Sequence, residues 1–173
     1  MRTFISIDMP EEVKREIQKI QNSLPKFYGK FIEPENLHLT LKFLGEIDER
    51  KVGEIKKKLK KIKLNKFETE IDSVGVFSEK FIRIIWLYLA NCEGLQKKID
   101  ESLISLFESE KRFMSHLTIA RVKKINNKYE FFKNLKEIKI PKIKFRVENF
   151  KLKKSILTEH KPIYETFEKY NLN

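Results

Sequence analysis

Two nearly identical tetrapeptides constrain the fold of this chain more than any other feature. Residues 38–41 read His-Leu-Thr-Leu and residues 116–119 read His-Leu-Thr-Ile, although the chain contains only three histidines. Both lie where apolar and polar residues alternate, which is typical of a strand with one buried face. Side chains two positions apart on a strand point the same way. Each histidine is therefore expected beside its threonine on one face, with the apolar residues in the core.

Helical and strand-like patterns alternate along the rest of the chain. Strands are predicted at 2–8, 37–44, 67–77, 81–89 and 115–122, and one or two strands at 143–157. The strands at 67–77 and 81–89 form a hairpin with its turn at Ser78–Lys80. Helices are predicted from Pro10 to Leu24, at 49–63, from a cap at Asn91 to Leu106, at 127–137, and from Pro162 onward. This order predicts an α+β fold with antiparallel sheet, in one domain spanning residues 1–173. The repeated tetrapeptide suggests two halves of related shape.

The charge balance favours contact with phosphates. Thirty-seven basic against 25 acidic residues give a net charge of +12, and such a surplus attracts phosphate backbones. The alternative is that the lysines and glutamates only keep the protein surface hydrated and bind no phosphate. The single cysteine, Cys92, excludes an intrachain disulfide and is expected to be a small buried residue. With no signal-peptide pattern and no apolar run long enough to span a membrane, we expect a cytoplasmic protein.

The repeated unit carries groups suited to phosphate ester chemistry. An imidazole exchanges protons near neutral pH, and a threonine hydroxyl donates hydrogen bonds to anionic oxygens. Two units facing one cleft supply an acid, a base and two donors, which suits in-line attack on a phosphate diester without a metal or cofactor. Glu35 or Glu46 could instead complete a two-histidine-one-carboxylate metal site, although the spacing does not require one. His160 precedes Lys161 and a proline and is predicted to be a loop residue.

These segments resemble the 2H phosphoesterases, whose signature is a pair of His-x-Thr-x motifs. The best likeness is to their RNA 2′,3′-cyclic phosphodiesterase branch, the LigT or 2′-5′ RNA ligase family, and it covers nearly the whole chain. TFISIDMPEEVKREI resembles the family's opening strand and helix, and PENLHLTLKFLGEI resembles its first motif region. RFMSHLTIARV is similar to its second motif region, and LKKSILTEHKPIYETF to its closing strand and helix.

The resemblance implies a bilobal fold with pseudo-two-fold symmetry, in which two antiparallel sheets face a central cleft and helices cover the outside. It implies that His38 donates a proton to the leaving ribose oxygen and that His116 accepts one from the attacking water. Thr40 and Thr118 would bind the phosphate. The implied reaction hydrolyses an RNA-terminal 2′,3′-cyclic phosphate to a 2′-phosphomonoester, with reversible 2′-5′ RNA ligation as a second activity.

Arg121 matches an arginine that is common after the family's second motif. Strand parity places Arg121 on the face opposite His116 unless a bulge reverses it, so a phosphate contact and a structural ion pair both stay open for it. Two positions depart from the family pattern. Ser115 replaces a usual proline, and His160-Lys161 replaces a small residue before Pro162.

Two alternatives to this enzyme remain. One is a basic, non-catalytic RNA-binding protein, for which the charge is the support. The other keeps the histidine pair but uses a cyclic phosphate that is not RNA. In the preferred interpretation the protein acts as a monomer on RNA ends, without a metal, a cofactor or a membrane.

Overall fold

The computed structural model describes all 173 residues and contains nine strands and four α-helices. The strands are β1 (Arg2–Asp8), β2 (Tyr28–Phe31), β3 (His38–Glu46), β4 (Phe67–Val76), β5 (Ile84–Leu89), β6 (His116–Lys124), β7 (Ile143–Val147), β8 (Asn149–Leu157) and β9 (Pro162–Asn171). The helices are α1 (Glu11–Ser23), α2 (Glu49–Leu59), α3 (Glu93–Leu103) and α4 (Lys128–Glu137), with one 3-10 turn at Pro34–Asn36. The predicted α+β class is confirmed.

The nine strands form one antiparallel sheet made of two four-stranded halves and β2. The order is β7-β4-β5-β6 in one half and β3-β1-β8-β9 in the other, and β2 pairs with β6. The halves are joined through one residue pair, Leu39 on β3 with Leu117 on β6. The two sheets implied by the resemblance are therefore halves of one continuous sheet, joined at the two repeated tetrapeptides.

The helices pack against this sheet around one hydrophobic core. Helix α1 contacts β6 and β7, α3 contacts β3, and α2 packs on α3. A single cluster of 36 buried residues extends from Ile5 to Leu172 and draws on both halves. Cys92 is buried in it, as predicted, and burial raises the pKa of its thiol. None of the helices combines the length and the apolar character that crossing a membrane requires.

The segment after Pro162 is a strand, so the predicted terminal helix is wrong. Its apolar residues Ile163, Phe167 and Tyr170 recur at a spacing that also suits a helix. In the fold, β9 pairs with β8 along its whole length, from Pro162 opposite Leu157 to Asn171 opposite Asn149. The unpaired edge of β8 and the aromatic content of the segment outweigh the local pattern. Pro162 is tolerated because it begins an edge strand.

Two smaller features also differ from the prediction. Strand β2 was not predicted, because all four of its residues are exposed and leave no alternating pattern. It fits closely against β6: a Cβ on Gly29 would collide with the carbonyl oxygen of Arg121. The predicted cap Asn91 instead adopts a left-handed conformation with φ 65° and donates its side-chain amide to the Glu68 carbonyl at 3.2 Å, so Cys92 precedes α3.

A buried ion pair ties β3 to the segment that precedes β6. Lys42 is 3% exposed, and its Nζ lies 2.6 Å from Asp100 Oδ1 on α3 and donates to the Glu108 carbonyl at 2.7 Å. Asp100 Oδ2 accepts from Gln96 Nε2 at 2.8 Å and from the Glu110 backbone N–H at 2.9 Å. Burial raises the pKa of Asp100, but these donors outweigh it and lower the pKa below its ordinary value. The pair thus links β3 to α3 and to the segment between α3 and β6.

Candidate active site

The two repeated units have the same exposure pattern in the fold. In β3, His38 and Thr40 are half-buried while the residues between and after them are fully buried, and β6 repeats this position by position with His116 and Thr118. The alternation read from the sequence is therefore confirmed. Each histidine shares the open face of its strand with its threonine.

The two units lie side by side where the halves of the sheet meet. Leu39 pairs with Leu117 in antiparallel register. In an antiparallel pair, the residue before one partner lies opposite the residue after the other. His38 therefore lies across from Thr118, and His116 lies across from Thr40. The face that carries both histidines is therefore continuous across the junction, with a local two-fold relation at this pair.

Both imidazole rings are held in the same orientation by the backbone. His38 Nδ1 lies 2.8 Å from the Asn36 carbonyl oxygen, and His116 Nδ1 lies 3.0 Å from the Met114 carbonyl oxygen. A carbonyl can only accept, so each Nδ1 carries the hydrogen and each neutral ring presents Nε2 as its acceptor. His38 Nε2 lies 3.1 Å from Thr40 Oγ1, whose hydroxyl can donate to it. This arrangement leaves Nε2 of each ring as the proton-exchanging atom.

Aromatic rings fix the positions of both histidines. The His38 ring lies 5.0 Å from the Tyr164 ring in an edge-to-face contact and 5.1 Å from the Phe4 ring. The His116 ring makes an edge-to-face contact with Phe77 at 4.8 Å. Such contacts orient side chains. The sequence pattern missed Tyr164, which lies on β9, and Phe77, which lies in the turn after β4, because both are distant in sequence from the motifs.

A β-bulge places Arg121 on the same face as the histidines. Where β6 pairs with β5, the register skips one residue between Thr118 and Ala120, so Ile119 and Ala120 are buried in succession and parity reverses after them. Arg121 is exposed on the His116 side, and its positive charge acts on both His38 and Tyr164. Regular strand alternation without a bulge would place Arg121 on the face opposite His116. The structure has the bulge, so Arg121 lies on the His116 face.

The electrostatic environment keeps His38 neutral at physiological pH. Burial, and then the positive charge of Lys153, lower the pKa of His38 to about 4, with a further contribution from Arg121. The Asn36 carbonyl and Asp8 act in the opposite direction and are outweighed. The ring of the free protein is therefore an acceptor at Nε2, hydrogen-bonded to Thr40.

Acidification is expected to destabilise the protein through His38. The folded state keeps this ring neutral down to about pH 4, whereas an unfolded histidine takes up its proton near the ordinary value of 6.5. The unfolded state thus binds more protons between these values, so stability falls as the pH drops through 6.5 toward 4, by about 3 kcal/mol in total. Urea unfolding across this range should show a smaller loss for His38→Asn than for the wild type. Equal losses in the two proteins would contradict the prediction.

The carboxylates considered for a metal site are engaged elsewhere. Glu35 Oε1 pairs with Lys161 Nζ at 2.6 Å, and Glu46 Oε2 pairs with the N-terminal ammonium of Met1 at 3.0 Å. The fold gathers no group of three or more His, Cys, Asp or Glu side chains suited to holding a metal ion. His160 is exposed in the loop between β8 and β9, as predicted. It therefore lies outside the paired units.

The sequence as a whole matches a known family. The family model described as LigT like Phosphoesterase matches residues 7–86 and 90–164. The chain belongs to this family. The resemblance drawn from the paired motifs is confirmed, and so is the conclusion that the chain is an enzyme of the phosphoesterase class.

Relatives of this LigT-like phosphoesterase cover its full length. A Methanocaldococcus jannaschii protein named RNA 2′,3′-cyclic phosphodiesterase is 38% identical over 175 residues, which cover 98% of this chain and 100% of the relative. A Thermotoga maritima protein of the same name is 38% identical over 174 residues, covering 95% and 92%. A solved structure from Thermus thermophilus superposes with a TM-score of 0.82 at 25% identity, covering 99% of this chain and 97% of the other. Escherichia coli LigT complexed with 3′-AMP gives 0.79 at 23% identity, covering 99% and 97%.

The two departures from the family pattern leave the paired motifs of this LigT-like phosphoesterase intact. Ser115 is buried, and its carbonyl accepts a hydrogen bond from the Leu89 N–H at 3.1 Å, which continues the pairing of β6 with β5. The loop that contains His160 is tied down by Lys161, which also bonds Glu33 Oε2 at 2.7 Å, and by Asn36 Nδ2, which donates to the Pro162 carbonyl at 3.1 Å. Both departures therefore lie in segments that are held in place by hydrogen bonds next to the histidine strands.

Proposed function

We propose that this phosphoesterase hydrolyses the terminal 2′,3′-cyclic phosphate of RNA to a 2′-phosphomonoester by two-histidine acid-base catalysis. The observation that carries the proposal is the pair of His-x-Thr units, related by a local two-fold, with each Nδ1 bound to a backbone carbonyl and each Nε2 left for proton exchange. The RNA substrate is supported by the full-length relatives named for that activity and by the net charge of +12.

In this mechanism the two histidines handle one proton each. His116 Nε2 accepts a proton from water as the water oxygen attacks phosphorus. The bond from phosphorus to O3′ breaks, and His38 Nε2 donates a proton to that oxygen, which leaves the phosphate on O2′. The hydroxyls of Thr40 and Thr118 and the guanidinium of Arg121 bind the non-bridging oxygens as charge develops on them.

We propose reversible 2′-5′ RNA ligation as a second activity of the same site. If the 5′-hydroxyl of another RNA replaces the water, the identical displacement of O3′ forms a 2′-5′ phosphodiester. His116 then accepts the hydroxyl proton, and His38 again protonates O3′. The reverse reaction uses the same residues with their roles exchanged. Because one phosphoester bond breaks as another forms, no nucleotide cofactor is needed for energy.

A product assay tests the proposed function. An oligoribonucleotide with a 2′,3′-cyclic phosphate end is incubated with the protein with and without a chelator, and the product is identified by phosphorus NMR. We expect a 2′-phosphate, formed at the same rate in both conditions. Salt-sensitive RNA binding without turnover would support the non-catalytic alternative. Turnover of an ADP-ribose cyclic phosphate but not of the RNA end would support a substrate that is not RNA.

Arg121→Met is expected to lower kcat/KM for the cyclic phosphate by about 10²-fold, because it removes one donor to the developing phosphate charge. The matched control is Lys123→Met, which removes the same charge from the same face of β6, two residues further along. Lys123 is exposed and lies further than Arg121 from the histidines along β6, so solvent and salt weaken its effect on the phosphate, and we expect the control to stay within about twofold of the wild type. Equal losses in both variants would indicate general attraction of the substrate and would contradict a phosphate contact by Arg121.

A further inference from the structure

A cluster of three charged side chains lines the cleft beside His38 and has no counterpart beside His116. Asp8 ends β1 opposite His38 in the register of the sheet. It pairs with Lys151 Nζ at 2.7 Å and also with Lys153, both from β8. At the positions that correspond to Asp8 and Lys151 lie Tyr88 and Gly75, which are uncharged at neutral pH, and the ring that contacts His116 belongs to Phe77. The two otherwise related units therefore differ in charge.

The cluster is built into the fold and carries a net positive charge. Lys153 is only 5% exposed, and it lies opposite Phe4, the residue whose ring contacts His38. Burial raises the pKa of Asp8, but its hydrogen bonds to Lys151 and Lys153 outweigh this and keep the pKa below its ordinary value. One carboxylate between two ammonium groups leaves one positive charge in excess.

Among the charges that act on the His38 ring, Asp8 is the one negative charge, and it does not offset this excess. β6 contributes the positive charge of Arg121, and β9 contributes the phenol of Tyr164, whose pKa burial raises. Asp8 is the acid that faces the ring, and both of its oxygens are occupied by lysines. Burial of the ring and these positive charges therefore oppose protonation of His38 in the free protein.

We infer that the Asp8–Lys151–Lys153 cluster makes protonation of His38 conditional on an anion in the cleft, so that the ring gains its proton together with the substrate's phosphate. This inference rests on the proposed function. The negative charge of a bound phosphate offsets the cluster and Arg121, and a proton from solvent then adds to Nε2. Thr40 responds to the same event: its hydroxyl can donate to neutral Nε2 at 3.1 Å, and protonation of Nε2 frees its hydrogen for a phosphate oxygen. Lys153 acts through His38 and is a positioning residue.

The test follows the protonation of His38 directly, by NMR of the ¹⁵N-labelled imidazole rings, with sulfate as the probe anion. In the wild type, saturating sulfate should move the His38 midpoint up by one pH unit or more, as expected of an opposite charge within about 4–6 Å. Lys153→Met should raise the midpoint without sulfate by about one pH unit and reduce the further effect of sulfate. Lys151→Met, at a more exposed site, should shift it in the same direction by less. Lys154→Met is the matched control, because that side chain follows Lys153 on β8 and points to the other side.

Two results would overturn the inference. One is a His38 midpoint that does not move when sulfate shifts the amide signals of Thr118 and Arg121. The other is an unchanged midpoint in folded Lys153→Met or Lys151→Met. Turnover of the cyclic phosphate is measured in parallel on the wild type. Turnover without a sulfate effect on the His38 midpoint would refute the inference but support the proposed function. A sulfate effect on the midpoint without turnover would refute the proposed function but support the coupling of His38 to an anion.

Discussion

His38→Asn and His116→Asn should each lower kcat for an RNA 2′,3′-cyclic phosphate by about 10²–10⁴-fold, the range measured when a positioned general acid or base is lost. Asparagine is chosen because its side-chain N–H₂ can take the place of Nδ1 and bond the same backbone carbonyl, Asn36 for one ring and Met114 for the other. The substitution therefore removes Nε2 while keeping the anchor. The loss should fall on kcat more than on KM, since the proton transfers occur only in the transition state.

The third histidine supplies the matched control for these two variants. His160 is exposed in the loop between β8 and β9, so His160→Asn should retain wild-type turnover and stability. The double variant of His38 and His116 should lose less than the product of the single losses, because acid and base act in one displacement. Full activity in either folded single variant would reject the acid-base assignment.

Lys42→Met should lower the free energy of unfolding by about 3–5 kcal/mol, the usual cost of removing one partner from a buried ion pair. The substitution leaves Asp100 buried with only Gln96 and the Glu110 N–H as donors, and it also leaves the Glu108 carbonyl without its partner. Urea unfolding measures the loss.

Lys19→Met provides the comparison. It makes the same change in an exposed ion pair, in which Lys19 Nζ lies 2.9 Å from Glu16 Oε1, and exposed pairs contribute about 0–1 kcal/mol. A second comparison replaces both buried partners, as Lys42→Met with Asp100→Leu, which should recover part of the stability because no uncompensated charge remains. Similar losses of unfolding free energy in Lys42→Met and Lys19→Met would contradict the prediction, because they would show that burial does not increase the contribution of the Lys42–Asp100 pair to stability.

Sequence patterns predicted most elements because their signals are local. The helical stripe of α1, with Val13, Ile17 and Ile20 buried, and the alternation of β3 and β6 depend only on residues a few positions apart. Strand β2 escaped prediction because a four-residue exposed strand has no burial pattern. The segment after Pro162 satisfied a helical spacing, and only pairing with β8 made it a strand.

The sequence by itself determined that His38 shares a face with Thr40, and His116 with Thr118, because the period of a strand is a local property. It also determined the α+β class, through the order of local patterns, and the family, through motifs that need no coordinates. Only the tertiary structure decided that Arg121 joins that face, that Pro162 begins a strand, and that Asp8, Lys151 and Lys153 surround one histidine and not the other. These features depend on a bulge, a sheet edge and ion pairs between strands far apart in the chain, and pairing across such distances leaves no periodic trace in the sequence.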